Sequence, residues 1–239
     1  TEVTETGDYT TNALNQYTAL TIPGGGTRSF DYDADGNLVS LVENGIETVY
    51  TWNAENCIIE TAPAAPAEGD KKVAFVYDYM GRRVKKAVYV HTSGSWQPSS
   101  EKLLVYDGWN LIEEIAVAGV TETSRYFVWG QDLSQSLQGA GGIGGLISSV
   151  EGSLTYYLSY DGNGNVGQVV NAADGAIAAA YEYDPYGNLI RADGDYADDN
   201  PFRFSTKDHD DETGLVYYGY RDYVPELGRW VSRDPVEEN

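Results

Sequence analysis

The chain has 239 residues and a formal net charge of −22, so it offers no basic surface for the phosphates of a nucleic acid or of an anionic membrane. Charge therefore argues against both kinds of partner, and the length allows one large domain or two small ones. The composition includes 20 Tyr and 27 Gly but one Met, which favours an all-β protein with many turns.

Residue types that often carry chemistry are scarce. Cys57 is the single cysteine, so no disulfide forms within the chain, and we expect this residue to serve in packing or at the surface. The two histidines, His91 and His209, give poor support for a Ser-His-Asp triad or a multi-histidine metal site. The sequence therefore predicts no metal and no cofactor.

The first predicted elements are strands near residues 8–10 and 16–20, followed by a glycine turn at residues 24–26. A seven-residue phrase, Tyr-Asp-x-x-Gly-Asn-Leu, then returns along the chain. Its copies lie at residues 32–38, 77–83, 160–166 and 183–189, with a degenerate copy at 52–58, a shortened one at 106–111 and a further unit expected near Trp129. A period of this kind indicates a repeat architecture, in which each unit covers its neighbour.

Each copy of the phrase predicts a hairpin turn between two strands. Aromatic and β-branched residues precede it and apolar residues follow it. The Asp is expected to bind backbone amides two residues on, the Gly to adopt a positive φ, and the first ring to lie over the neighbouring hairpin. The predicted turn residues are Asp33, Gly36, Asp78, Gly81, Asp161, Gly164, Asp184 and Gly187.

Three connecting segments have their own signatures. Residues 61–71 contain two prolines and predict an exposed loop between hairpins. Residues 137–146 are rich in glycine but lack the Gly-Lys-Ser/Thr ending of a phosphate loop, so close backbone packing between sheets is expected instead. The alanine-rich residues 171–180 contain Asp174-Gly175, which predicts strand, turn and strand rather than a helix.

Two copies of the phrase resemble part of a calcium loop. Asp31, Asp33 and Asp35 match its first half, but Val42 stands where a bidentate Glu is needed. Asp161, Asn163 and Asn165 show a similar spacing and a similar gap. The turn alone explains these residues, which leaves calcium binding as the weaker alternative.

The carboxyl-terminal sequence is the most specific part of the chain. Residues 181–188, 200–207, 211–221 and 225–235 follow one another as long, ordered motifs that end in Arg233-Asp234-Pro235. They closely resemble the RHS-repeat-associated core of bacterial RHS (YD-repeat) proteins, and residues 129–146 and 156–170 resemble the stretch before that core. The resemblance covers essentially the whole chain.

The resemblance implies a fold and a function. RHS proteins, the C subunits of Tc toxins and teneurins coil a long β-sheet into a hollow shell, which in the bacterial toxins encloses a carboxyl-terminal toxin. We therefore expect an all-β chain of consecutive antiparallel hairpins that form a curled sheet, with an irregular plug at the carboxyl end. Residues 1–180 would form the shell and residues 181–239 the truncated core. A secreted or cell-surface bacterial protein is implied.

In many members the core is also an aspartyl autoprotease, and the residues implied for that role are Lys207, Arg233 and Asp234. A carboxylate can act as acid or base, and a cation can tune its pKa or hold an oxyanion. The structural alternative is that Arg233 and Asp234 tie the core to the shell. The scissile segment of the family is absent from these residues, so we expect no self-cleavage and no enzyme activity in this chain.

Two departures from the family motif place a charge where a ring is expected. Asp222 and Asp208 both stand where the family usually has Tyr. Two interpretations follow: either these faces are solvated in this protein, or the core has degenerated and no longer acts in cleavage.

Three functions remain in competition: a shell segment that encapsulates or scaffolds a polypeptide, a secreted module that binds glycans or a cell-surface partner, and the autoprotease. The expected partners are the protein's own carboxyl-terminal polypeptide or other shell segments. Open sheet edges also predict edge-to-edge self-association. No nucleic acid and no membrane insertion are expected. Thr1 and the ending at Asn239 predict a piece of a longer protein.

Overall fold

The structure is a computed structural model that describes residues 7–22, 24 and 26–234. Sixteen strands within these residues form one open antiparallel sheet, in which each strand is hydrogen-bonded to its neighbours in chain order. They are β1 (Asp8–Thr11), β2 (Tyr17–Ile22), β3 (Gly26–Tyr32), β4 (Leu38–Glu43), β5 (Ile46–Trp52), β6 (Ile58–Pro63), β7 (Lys71–Tyr77), β8 (Arg83–Thr92), β9 (Ser95–Asp107), β10 (Asn110–Ala118), β11 (Thr121–Trp129), β12 (Leu146–Glu151), β13 (Leu154–Tyr160), β14 (Val166–Asn171), β15 (Ile177–Tyr183) and β16 (Leu189–Asp193).

A second sheet contains the short strands of the carboxyl-terminal part. Its strands are β17 (Asp208–His209), β18 (Val216–Tyr217), β19 (Asp222–Val224) and β20 (Arg229–Trp230), again antiparallel and in chain order. Short 3-10 turns occupy Phe204–Thr206 and Pro225–Leu227. The predicted fold class is confirmed, because the elements are strands in consecutive hairpins. No helix among the described residues is long and apolar enough to cross a membrane.

The repeated phrase fixes the register of four hairpins in the same way. Its first residue lies opposite its seventh, as in the pair of Tyr160 with Val166 and that of Tyr183 with Leu189. In each case the register shifts by one residue just before the turn, which is a β-bulge. A bulge leaves one residue outside the ladder and locally disrupts the pairing. The bulge therefore recurs at the strand ends that the repeat turns connect.

The chain divides into two compact units. The first unit comprises the residues up to Phe75, Val88–Ser99 and the residues from Val231 onward; the second comprises Val76–Ala87 and Ser100–Trp230. The core of the first unit contains Leu20, Phe30, Leu38, Tyr50, Ile58, Val73, Phe75, Val88 and Val231. The core of the second unit has two apolar clusters, one around Val166, Val169 and Tyr181 and one around Leu104, Leu146 and Phe202.

Several predictions for single elements are confirmed. Strands β1 and β2 lie where the first two were expected, and the alanine-rich stretch forms the end of β14, a turn with Gly175 at φ 75° and the start of β15. The proline-containing loop is shorter than predicted, because β6 continues to Pro63. Two residues of the predicted turn at 24–26 are described, and Gly25 lies outside the described residues. The predicted domain boundary at residue 180 falls within β15 and stays a prediction.

Candidate functional site: the carboxyl-terminal core on the repeat turns

The Asp of the repeated phrase organises its turn through backbone hydrogen bonds. The Oδ1 atom of Asp161 accepts from the amides of Asn163 at 2.9 Å and Asn165 at 3.0 Å. Asp184 accepts in the same way from the amides of Tyr186 at 2.8 Å and Asn188 at 2.9 Å. Burial acts to raise the pKa of Asp161, but the hydrogen bonds from Asn165 and its neighbours outweigh it and hold that pKa below its ordinary value.

The other Asp turns follow the same geometry. Asp78 accepts from the amides of Met80 at 2.9 Å and Arg82 at 3.0 Å, and Asp33 accepts from the amide of Asn37 at 2.8 Å. The fifth residue has a positive φ, as predicted, at Gly36, Gly81, Gly164, Gly187 and, in the degenerate copy, Asn56. This is the backbone geometry expected of the named turn residues, and their assignment as functional residues of the repeat stays a prediction.

In two copies the first ring of the phrase reaches the preceding hairpin. Tyr183 Oη donates to the carbonyl of Val166 at 3.0 Å, and Trp52 Nε1 donates to the carbonyl of Leu38 at 2.8 Å. In both cases the acceptor is the seventh residue of the preceding copy. Rings with one polar tip suit such half-buried positions. The sequence predicted a ring above the neighbouring unit, and the structure adds the carbonyl that its tip binds.

The backbone amide of the seventh residue is bound by the carboxyl-terminal part of the chain. The amide of Val166 donates to the carbonyl of Arg203 at 3.1 Å. In the same turn the amide of Ser205 donates to Asn165 Oδ1 at 2.8 Å, and Thr206 Oγ1 donates to the carbonyl of Gly164 at 2.7 Å. Residues 200–231 form part of the predicted core of residues 181–239, and we call this part the carboxyl-terminal core. Its residues satisfy the polar groups of this turn.

The core binds other turns at equivalent atoms. The amide of Arg83, another seventh residue, donates to Tyr217 Oη at 2.9 Å. The last copy is bound at a different atom, because the side-chain Nδ2 of Asn188, its sixth residue, donates to the carbonyl of Pro225 at 3.2 Å. Within the first unit, the amide of Leu38 donates to the carbonyl of Val231 at 2.8 Å. Because buried polar groups need partners, these contacts provide hydrogen-bond acceptors for the donors of the turns.

The glycine-rich loop between β11 and β12 is also held by hydrogen bonds. The buried carboxylate of Asp132 accepts from the amides of Ala140 at 2.7 Å and Gly142 at 3.1 Å, so the loop's own carboxylate occupies these amides. A Cβ on Gly164 would lie 3.1 Å from the amide nitrogen of Gly144. The loop packs closely against a repeat turn, which confirms close backbone packing. The predicted partner was wrong, because the loop meets a turn rather than another sheet.

A buried cluster of charges joins the copy at residues 77–83, and the start of β8 that follows it, to the core. The Arg83 side chain is 1% exposed, and its Nη2 lies 3.0 Å from Asp222 Oδ1. Its guanidinium also lies 4.2 Å from the ring centroid of Tyr217. Lys86 Nζ lies 3.0 Å from Asp210 Oδ2 and also pairs with Glu212. Two cations of β8 thus meet an acidic part of the core.

This cluster corrects one interpretation of the family departures. Asp222 is 4% exposed, so the suggestion that its face is solvated is wrong. Burial raises its pKa, while Arg83 opposes that change. Asp208 is half-buried, and burial raises its pKa to about 6 against the opposing charges of Arg83, Lys102 and Lys86. Both departures from the family motif therefore lie near the same arginine.

The three implied proteolytic residues lie in different units. In the second unit, Lys207 Nζ donates to the carbonyl of Gly141, and burial lowers its pKa to about 8 although Asp132 acts to raise it. In the first unit, Arg233 and Asp234 are exposed, and Arg233 packs beside Gly36. The proteolytic role of these residues stays a prediction.

The turn geometry also bears on the calcium alternative. The described residues contain no group of three or more His, Cys, Asp or Glu side chains placed to hold a metal ion. Asp33 and Asp161 direct their oxygens at amides of their own turns. These atoms therefore act in the turn.

The fold is that of a β-repeat protein. Its antiparallel hairpins follow one another in chain order, and a carboxyl-terminal segment binds their turns. Residues 142–238 match the teneurin YD-shell family. The predicted resemblance to RHS (YD-repeat) proteins is thereby confirmed, and it supports a structural, shell-like role for this sheet.

Individual relatives agree with the family match. The chain is 28% identical over 224 residues to the tRNA3(Ser)-specific nuclease WapA of Bacillus spizizenii, covering 94% of this chain and 8% of that protein. It is 28% identical over 264 residues to toxin subunit YenC1 of Yersinia entomophaga, covering 99% of this chain and 24% of that protein. The chain thus spans less than a quarter of these relatives.

A solved structure shows the same fold. The Tc holotoxin pore of Photorhabdus luminescens, determined with a TccC3 variant, matches with a TM-score of 0.61 at 18% identity. The match covers 96% of this chain and 14% of that one. This likeness confirms the predicted fold as that of a Tc toxin component.

Sequence reasoning missed the charge cluster. The family motif marks Asp222 as a departure, whereas the turn motif alone does not mark its partner Arg83. A signal existed, because Arg83 stands where the other full copies carry Leu38, Val166 and Leu189 and the degenerate copy carries Ile58. An arginine at a repeated apolar position predicts a buried acidic partner.

Proposed function

We propose that this chain is a shell segment of an RHS-repeat protein, and that its carboxyl-terminal core covers the end of the sheet at which the repeat turns lie. The observation that carries the proposal is the repeated use of the seventh residue. The amides of Val166, Arg83 and Leu38 each donate to an atom of the core. One segment that binds several repeats at equivalent atoms acts as a structural closure.

A closure of this kind fits a container for a polypeptide. The match to the teneurin YD-shell family and the Tc toxin fold support that reading. The proposed cargo is the protein's own carboxyl-terminal polypeptide in a longer parent, and the proposed location is secreted or on the cell surface. The strong negative charge keeps such a shell soluble and disfavours binding to nucleic acid.

The experiment uses the full natural reading frame that contains this chain. We expect the polypeptide after the core to resist a protease for as long as the shell is folded, and to be digested once urea unfolds the shell. The same polypeptide expressed without the shell is the matched control. Equal digestion rates of the enclosed and the free polypeptide would contradict encapsulation.

Exposed aromatic rings favour a second candidate, a module that binds glycans or a cell-surface partner. Tyr79 is 91% exposed, Tyr220 62% and Tyr186 61%, and exposed rings can stack on sugars. A glycan array probed with this chain tests that function. Binding to one sugar class that is lost in Tyr220→Ala would favour it, whereas silence across the array would count against it.

The autoprotease remains the least supported function for this chain. Lys207, Arg233 and Asp234 enter the proposal by resemblance alone. The test is the longer parent protein, in which a released fragment that disappears in Asp234→Asn would support proteolysis. An intact parent after prolonged incubation would remove it.

The two edge strands support the proposal of self-association. The described residues of β1 and β16 are exposed along both strands. Unpaired strand edges bind other strands through their free backbone groups. Sedimentation of the purified chain at increasing concentration tests this, and a monomer at all concentrations would contradict it.

A further inference from the structure

The copy at residues 77–83 differs from its neighbours at the position that meets the core. Arg83 replaces the apolar seventh residue found in the other full copies, among them Val166. The Val166 side chain is fully buried in an apolar cluster, and that copy binds the core through backbone and neutral polar groups. Arg83 is also buried, but it brings a charge to the core.

The core carries the matching charges at this place. Asp222, at the start of β19, lies 3.0 Å from the Arg83 guanidinium, and Asp210, which follows β17, lies 3.0 Å from Lys86 Nζ. The Asp210 and Asp222 side chains are 2% and 5% exposed. Buried carboxylates and a buried guanidinium are stable only as partners, because each alone has lost its hydration.

We propose that Arg83, Lys86, Asp210 and Asp222 form a docking cluster that selects which repeat accepts the core. At a copy with an apolar seventh residue, Asp222 would be buried without a cation. At the copy of Arg83, a core with a neutral ring in place of Asp222 would remove the carboxylate at 3.0 Å and leave Asp210, at 3.8 Å, as the carboxylate beside the buried guanidinium. The cluster therefore allows residues 210–222 to dock at one copy and penalises docking at the others.

Selection is the role that the energetics favour. A buried ion pair adds little net stability, since desolvation offsets the attraction, but removal of one partner is strongly unfavourable. Such a pair separates correct from incorrect docking more than it strengthens the correct one. The inference goes beyond the proposed shell function, because it concerns how the core finds its repeat and holds whether or not a cargo is enclosed.

The experiment is a double-mutant cycle with Arg83→Met and Asp222→Asn in the 239-residue chain, read by hydrogen exchange of backbone amides. We expect each single variant to lose about 100-fold of its protection in β18 and β19, which corresponds to about 3 kcal/mol at 1.4 kcal/mol per tenfold. The double variant should regain most of that protection. The amides of β14 and β15 should stay protected in all variants.

The matched control is the exposed pair of Arg191 and Glu182, whose side chains are 59% and 63% exposed. Arg191→Met, Glu182→Gln and their combination should leave exchange in β18 and β19 unchanged. Should Arg83→Met fail to fold, the cycle of Lys86→Met with Asp210→Asn decides in the same way.

Two results would overturn the proposal. One is a double variant whose loss of protection equals the product of the two single losses, since the charges would then not be coupled. The other is an equal loss in β14 and β15, since the cluster would then support the whole unit rather than the docking of the core.

Discussion

The copies at residues 160–166 and 77–83 bind the same core by different chemistry. At the first, Val166 lies in an apolar cluster and the core supplies the carbonyl of Arg203. At the second, the core supplies the Tyr217 hydroxyl to the backbone and Asp222 to the side chain of Arg83. The backbone contact is common to both, and the charge occurs at one.

The difference separates two tasks of the repeat. The shared turn and its amide at the seventh residue provide docking positions that are alike from copy to copy. A chain built from such equivalent positions needs something that distinguishes them, as register does in any repetitive sheet. The buried charges provide that distinction at the copy of residues 77–83.

The largest effect is expected when the copy at residues 160–166 is given the arginine that the copy at residues 77–83 carries at its seventh position. Val166→Arg places a guanidinium in the apolar cluster of the second unit, where the charge loses its hydration and gains no ion-pair partner. We expect the free energy of unfolding to fall by about 3–5 kcal/mol. Urea denaturation measures this, with Val166→Met as the control of similar length. A variant as stable as Val166→Met would contradict the account of this site.

The glycines of the two turns give a second comparison. Gly164 and Gly81 share a φ of 78°, but a Cβ on Gly164 would lie 2.4 Å from Ile143 Cγ2, whereas nothing lies within 4 Å of a Cβ on Gly81. We expect Gly81→Ala to lower the free energy of unfolding by about 1–2 kcal/mol from backbone strain alone.

Gly164→Ala adds a steric clash to the same strain, so its loss should be larger by about 1–3 kcal/mol. Thermal and urea denaturation of the two variants side by side test the difference. Equal losses would show that the glycine-rich loop does not pack against this turn as described.

The bond between neighbouring copies is expected to contribute less. Tyr183→Phe removes the hydroxyl that donates to the Val166 carbonyl at 3.0 Å, so we expect a loss of about 1 kcal/mol in the free energy of unfolding. Tyr157→Phe is the matched control, because the Tyr157 side chain is half-exposed on β13. The same small change in both variants would mean that the ring tip does not join the copies.

The last comparison concerns the effect of pH at the charged docking position. Burial raises the pKa of Asp208 to about 6, above the ordinary value near 4 of an unfolded chain. The folded chain therefore binds this proton more tightly, and the contribution of Asp208 to stability increases as the pH falls through 6. Asp208→Asn should be more stable than the parent chain at pH 7.5, and the difference should vanish near pH 4.

Denaturation of both chains at the two pH values measures that difference. Asp174→Asn, in the exposed turn between β14 and β15, is the control for the same substitution at the surface. A destabilised Asp208→Asn at pH 7.5 would show that its charge is favourable where we place it as unfavourable.

The turns could be predicted because their causes are local. Asp161 and Gly164 act on atoms within the same seven residues, and repetition along the chain made the pattern visible. The docking of the core could not be predicted in this way. Arg83 and Asp222 are 139 residues apart, and nothing local to either specifies the other. The departures at both positions were visible in sequence, but only the fold brings them together.

We claim that the carboxyl-terminal core binds the repeat turns, and site-resolved hydrogen exchange at two amides tests this. The amides of Val166 and Leu38 donate to the carbonyls of Arg203 and Val231. We predict that both exchange as slowly as the central amides of β14 and β4. Exchange at the rate of an exposed loop at both positions, with those strands still protected, would contradict the claim.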